Sequence, residues 1–136
     1  PTSNNVFDKY NIVDFSTGTA EIQPLKVNLS CKYTAGLSPS LKITGESAGL
    51  ADSNLFRSAS STSQYAGFML KRGSLNDIAS FYIADGTVTP GMVIPLDVDD
   101  GNSVQSFSVG LVRSAGDPVL TAGSVNAKIA FAFVFP

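Results

Sequence analysis

The feature that most constrains this chain is an alternation of apolar and polar residues with a period of two. Successive side chains of a strand point to opposite faces, so this pattern predicts strands with one buried face. The alternation is found in residues 25–33, 41–44, 66–70, 106–111 and 125–135. Clusters of Gly, Pro, Asp and Ser separate these runs, as expected of turns. The 136 residues are enough for one domain, and short strands at this spacing predict an all-β, immunoglobulin-like sandwich with six main strands and no long helix.

The same alternation predicts which side chains form the core. We expect residues 6–15 to be extended as well, but their apolar residues change face between Ile12 and Val13. Such a shift predicts a bulge or a strand that changes sheets. The residues expected to be buried are Leu25, Val27, Leu29, Leu41, Ile43, Phe68, Leu70, Phe107, Val109 and Leu111.

Composition excludes several functional classes. The chain has 9 basic and 11 acidic residues, a formal net charge of −2 and no basic cluster, which argues against a nucleic-acid partner. It contains no His and a single Cys, so it cannot build a Ser-His-Asp triad or an ordinary zinc site. We therefore predict a protein that is not an enzyme and needs no cofactor or metal.

Three local features have alternative interpretations. The acidic residues of 97–101 resemble a calcium loop, but their spacing misses the motif by one residue and the closing Glu is absent. A solvated turn is the favoured interpretation. Lys71 and Arg72 are interpreted as charges that protect the end of a strand from edge-to-edge pairing. Cys31 is expected to be buried, unpaired and slow to react, because no basic neighbour in the sequence would lower its pKa.

The last predicted strand, residues 125–135, is the most hydrophobic of the chain. Its second face carries Ala130, Ala132 and Val134, and no further strand follows it in the sequence. A long apolar edge of this kind promotes aggregation unless another strand pairs with it. We therefore expect a partner strand to come from another chain by β-strand addition.

Several segments resemble the pilin domains of chaperone–usher fimbriae. In residues 120–126 and the alternating run that follows, Gly123 is the fourteenth residue from the end and Phe135 the penultimate one, as in the family's C-terminal signature, although the family usually has Tyr at the second position. Residues 53–56 followed by 66–73 match the middle of that fold in order and spacing. The chain is most similar to the C-terminal pilin domain of two-domain, type 1-like tip adhesins.

The resemblance implies a sandwich that lacks its seventh strand, which is supplied in trans by donor-strand complementation. A periplasmic chaperone would fill the resulting groove first, and the donor strand of a neighbouring fimbrial subunit would replace it at the usher. One implied set of residues lines the groove: Phe7, Tyr10, Ile12, Val13, Val125, Ala127, Ile129, Phe131 and Phe133. A second implied set forms the C-terminal anchor for the chaperone: Gly123, Phe135 and Pro136.

The resemblance also implies where the protein acts. Residues 1–136 would be a single pilin domain, with residues 1–5 the remnant of a linker to an N-terminal receptor-binding lectin domain absent from this chain. The domain would anchor a tip adhesin to a fimbrium on the bacterial surface after secretion through the periplasm. Cys31 matches the second position of the family's usual disulfide, but no Cys stands near Asn5, the expected first position. Either this member dispenses with the disulfide, or the residue was altered, or the partner lies upstream of Pro1. Two alternatives remain open: a complete minor fimbrial subunit with residues 6–15 as its donor strand, and a self-contained carbohydrate-binding sandwich.

Overall fold

Antiparallel strands build the structure. The computed structural model describes residues 5–30, 39–49, 52–96, 102–116 and 118–135. Cys31, the acidic residues of 97–101, residues 1–4 and Pro136 lie outside this range, and the expectations attached to them stay predictions. The described elements are a 3-10 helix (Ile12–Phe15) and the strands β1 (Thr19–Ser30), β2 (Ser40–Gly45), β3 (Ala66–Arg72), β4 (Thr87–Val88), β5 (Val93–Pro95), β6 (Asn102–Arg113) and β7 (Ile129–Val134).

The strands form two sheets. One has the order β1-β6-β3-β4 and the other the order β5-β2-β7. All pairings between neighbouring strands within the two sheets are antiparallel. Beside five long strands, β4 and β5 have only 2 and 3 residues, and the chain passes there from one sheet to the other. The predicted all-β, immunoglobulin-like sandwich is confirmed.

The core lies between the two sheets, where the alternating pattern placed it. In β2, Leu41 and Ile43 have no exposed surface, whereas Lys42 and Thr44 point to solvent. The other residues correctly predicted to be buried are Leu70, Phe107, Val109 and Leu111.

Three of the residues predicted to be buried are only half-buried: Leu25, Val27 and Phe68. Leu25 and Val27 belong to β1, which is the edge strand of its sheet. An edge strand is covered on one side only, so inward-facing side chains keep part of their surface exposed. The burial of Leu29 stays a prediction.

A second apolar layer covers the outer face of the four-stranded sheet. Phe81 packs there with Leu55, Met69 and Val112. It lies so close to β6 that a Cβ atom at Gly110 would be 2.3 Å from its Cε2 atom. Residues 74–86, which carry Phe81, therefore shield a face that alternation alone would have left in water.

This layer corrects the interpretation of Lys71 as an exposed charge at a strand end. Lys71 has no exposed surface. Its Nζ atom donates hydrogen bonds to the carbonyl oxygen of Tyr82 (3.1 Å), to that of Ala84 and to Oγ1 of Thr87 (2.6 Å). Burial lowers the pKa of the Lys71 amine, and the nearby Asp85 opposes that shift. The side chain thus joins the 74–86 segment to the sheet.

Three predicted strand boundaries also change. Residues 6–15 are not a bulged strand, since Ile12–Phe15 form a 3-10 helix whose first turn is closed by a hydrogen bond from the Asn11 backbone to Asp14. The strand predicted at residues 25–33 begins earlier, at Thr19, because β6 pairs with it along its whole described length. The last strand begins at Ile129 instead of residue 125.

Replacing Lys71 by Met should lower the free energy of unfolding, because three oxygens of half-buried residues lose their donor. Each orphaned buried acceptor costs about 1–3 kcal/mol. Urea unfolding of the purified chain measures the loss, and Lys42→Met, at an exposed position of β2, is the matched control. Equal unfolding midpoints for the two variants would contradict the structural role of Lys71.

Candidate functional site

The two sheets are closed on one side and open on the other. On the closed side, the edge strands β4 and β5 are separated by only four residues, 89–92. The opposite edges are β1 in one sheet and β7 in the other. In the part of the chain that the structure describes, neither has a strand on its outer side. We call the gap between them the β1–β7 groove.

The groove is lined by half-buried apolar side chains from both edges. They are Leu25 and Val27 of β1 and Ile129, Phe131 and Phe133 of β7. All five pack against the same group of buried residues, the first core cluster, which includes Leu41, Ile43, Phe56 and Phe107. The rings of Phe131 and Phe107 lie 5.6 Å apart. These side chains face the interior without being fully covered, and covering apolar surface contributes about 25 cal/mol per Å².

The predicted groove residues Val125 and Ala127 are half-buried too, but they precede β7. A serine-rich loop, residues 58–63, holds the backbone of the segment before β7. Ser58 N donates to Asn126 O (2.8 Å), and Thr62 N donates to Ser124 O (2.9 Å). Val125 packs against a second core cluster, formed by Phe15, Ala66, Leu111 and Leu120, at this end of the groove.

Gly123 permits this attachment. Its φ of +148° is unfavourable for other residues, and an added Cβ atom would lie 2.5 Å from the backbone nitrogen of Ser63. The glycine thus lets the segment before β7 approach the serine-rich loop closely. Of the other expected anchor residues, Phe135 is 42% exposed and Pro136 lies outside the described residues.

The four predicted groove residues near the N-terminus separate into two pairs. Phe7 packs against both core clusters, and its ring lies 5.1 Å from that of Phe68. Phe68 is on β3, the third strand from the β1 edge, so the Phe7 ring lies between the sheets. Tyr10 is half-buried beside the second cluster. The structure does not place Ile12 and Val13 on a groove wall: both lie in the 3-10 helix and are 54% and 73% exposed.

Two polar residues complete the groove at this end. Glu21 and Gln23 continue the inward-facing row of Leu25 and Val27 along β1. Asp8 N and Tyr10 OH donate to Glu21 Oε1 at 2.9 and 2.5 Å. Sequence reasoning missed both residues, although their spacing of two from Leu25 was a visible signal.

These contacts shift two pKa values. Partial burial acts to raise the pKa of Glu21, but the hydrogen bonds from Tyr10, Gln23 and the Asp8 backbone outweigh it and hold the pKa below its ordinary value. The hydrogen bond to Glu21, with smaller contributions from burial and nearby acidic groups, raises the pKa of Tyr10 to about 12. The carboxylate therefore stays ionised at neutral pH while the phenol stays protonated.

An unpaired strand edge beside a row of apolar side chains can bind an extended peptide as an additional strand. The described residues hold no group of three His, Cys, Asp or Glu side chains suited to a metal ion. Nor do they include a helix with the length and apolar character that crossing a bilayer requires.

Comparison with known proteins identifies the fold. No protein-family model matches the chain, and no curated protein sequence matches it. Among solved structures, it is similar to the CupB6 tip adhesin from Pseudomonas aeruginosa, with a TM-score of 0.62 and 19% identity over 85% of this chain. The chain spans only 30% of that adhesin.

Two further structures match over nearly the whole chain. The antigen and type I fimbria protein BPSL1626 of Burkholderia pseudomallei has a TM-score of 0.65 and 19% identity, covering 98% of this chain and 82% of that one. The P pilus rod subunit PapA has a TM-score of 0.68 and 15% identity, covering 99% and 93%. The chain therefore has the fold of chaperone–usher pilus subunits, as its sequence segments predicted.

The Glu21 contacts should make stability depend on pH in the acid range. Because the folded-state pKa lies below the ordinary 4.5, the stabilisation is fully present above that pH and is lost as the pH falls through the folded value. We expect the difference in unfolding free energy between the wild type and Glu21→Gln to be constant from neutral pH down to about 5 and to shrink below about 4. Chemical denaturation across this range measures it, and a difference that grows on acidification would contradict the assignment.

Gly123→Ala should destabilise the fold by about 1–3 kcal/mol, the usual cost of forcing extra atoms into a packed site. Gly91→Ala is the matched control: Gly91 also has a positive φ, +92°, but nothing lies within 4 Å of an added Cβ. Thermal unfolding should show the larger loss for Gly123→Ala. Equal losses of thermal stability in the two variants would mean that the close approach of Gly123 to Ser63 does not add to the cost of the substitution.

Proposed function

We propose that this chain is the pilin domain of a fimbrial tip adhesin and that it accepts a donor strand in the β1–β7 groove. The observation that carries the proposal is the free edge of β7 beside half-buried Ile129, Phe131 and Phe133, in a fold shared with chaperone–usher pilus subunits. A strand added there would pair with β7 and place alternate side chains between the sheets.

The proposed partners follow from this role. A periplasmic chaperone would supply the strand first, and a neighbouring fimbrial subunit would replace it at the usher. The groove residues would be Leu25 and Val27 of β1 together with Phe7, Tyr10, Val125, Ala127, Ile129, Phe131 and Phe133. Receptor binding would belong to a separate lectin domain. The protein would act on the bacterial surface after passing through the periplasm.

The position at the tip rests on two observations. The match to the CupB6 tip adhesin covers only 30% of that protein, as expected when one part of an adhesin corresponds to this chain. In addition, Phe7 packs between the sheets of its own domain, which is unfavourable for a donor role of residues 6–15 in another subunit. The alternative, a complete minor fimbrial subunit, is favoured by the 93% coverage of PapA.

Adding a donor peptide should stabilise the chain strongly. Each large apolar side chain that becomes buried contributes about 1.5–3 kcal/mol. For a domain of this size, 1 kcal/mol moves the unfolding midpoint by about 2–8 °C, so we expect an increase of roughly 10 °C or more. The measurement is thermal unfolding with and without a peptide of alternating apolar residues from the N-terminus of a fimbrial subunit.

Two variants make this test specific. Phe131→Asp should abolish the stabilisation, because it places an unpaired charge in the groove. Lys128→Ala, at an exposed position just before β7, should leave it nearly unchanged. If the lone chain were already stable and indifferent to every such peptide, donor-strand binding would be refuted, and glycan binding by the same sample would favour the self-contained sandwich.

A further inference from the structure

Residues 5–10 lie beside β1 without joining its sheet. Within the described residues, no backbone–backbone hydrogen bond connects this segment to β1. Two side chains of β1 hold it instead. Gln23 Nε2 donates to Val6 O at 2.9 Å, and Asn5 Nδ2 donates to Gln23 Oε1 at 3.2 Å. The other attachment is Glu21, which accepts hydrogen bonds from Asp8 N and Tyr10 OH.

The segment covers only one end of the β1–β7 groove. Phe7 inserts between the sheets and contacts Phe68, while Tyr10 packs at the end marked by Leu120 and Val125. At the other end, Leu25, Val27, Phe131 and Phe133 stay half-buried and line the part of the groove beyond Phe7. In the described residues, no further strand pairs with either edge there.

We infer that residues 5–10 are an internal cover, held by Glu21 and Gln23, which limits the incoming strand to the open part of the groove. Adjacent inward side chains of a strand are about 6.6 Å apart, so the open part accepts two or three alternating large apolar side chains. A strand with more anchors has to expel Phe7 and break the contacts of Glu21. This inference rests on the proposed function and specifies the length of the partner strand.

The cover can be tested without any peptide. Lys9 is exposed on the segment, and trypsin cleaves after lysine only when the surrounding backbone opens. Cleavage at Lys9, followed by mass spectrometry of the intact chain, should be about tenfold faster in Glu21→Ala than in the wild type, since cleavage tracks the population of the open form. Val6→Thr, at a side chain that is 83% exposed on the same segment, should leave the rate unchanged. Equal rates in all three proteins would refute the cover.

The length limit requires two peptides, one with three alternating apolar anchors and one with five. In the wild type, we expect the two peptides to bind with dissociation constants within about threefold of each other, because Phe7 already occupies the part of the groove that the two additional anchors would need. In Glu21→Ala and in Phe7→Ala, the longer peptide should bind about tenfold more tightly than the shorter one, because the end of the groove that Phe7 blocks in the wild type becomes accessible. Saturation with the short peptide should leave wild-type cleavage at Lys9 unchanged.

The outcomes separate the two proposals. If the longer peptide has the same advantage in the wild type as in the variants, the cover is refuted while donor-strand binding stands. If no peptide binds any of the proteins, donor-strand binding is refuted, and the Lys9 cleavage rates alone decide whether Glu21 holds the segment. A failure of Glu21→Ala to fold is circumvented by Phe7→Ala, which leaves both β1 attachments intact.

Discussion

A sandwich is stable when both sheets cover each other's inner faces and both sides of the gap between them are closed. The described residues of this chain meet that requirement on one side only. The passage from β4 to β5 takes four residues, so the sheets are closely linked there. On the other side, β1 and β7 end their sheets without a neighbour in the described residues. Partial exposure of Leu25, Val27 and the phenylalanines of β7 follows directly from that asymmetry. The proposed strand binding rests on that asymmetry.

The inner face of the sandwich could be predicted from sequence because its signal is local. Leu41, Ile43, Phe107 and Val109 are buried as alternation required, since a strand residue's face depends only on its parity. The shared face of Ile129, Phe131 and Phe133 was predicted for the same reason, whereas their assignment to a groove came from the family resemblance. Their roles in donor-strand binding depend on a partner and stay predictions.

The remaining features depend on contacts between distant parts of the chain. Lys71 is buried because residues 74–86 fold back over the sheet, and no pattern within β3 indicates that. The segment before β7 stays outside the strand because a loop more than 60 positions earlier takes the backbone hydrogen bonds of Ser124 and Asn126. Glu21 follows the apolar parity of β1 but is polar, and its place in the groove depends on the hydrogen bond from Tyr10, which no local pattern indicates.

The pairing of β2 with β7 has a consequence for the order of folding. Gly45 pairs with Ile129, and Leu41 pairs with Phe133, so the three-stranded sheet requires residues that are 84 to 92 positions apart in the sequence. Folds dominated by such non-local contacts form slowly, in milliseconds to seconds. During synthesis, the apolar face of β2 stays exposed until β7 has been made, and transiently exposed apolar surface of this kind favours aggregation. A binding partner that shields β2 in that interval would raise the yield of folded protein even if it were absent from the final state.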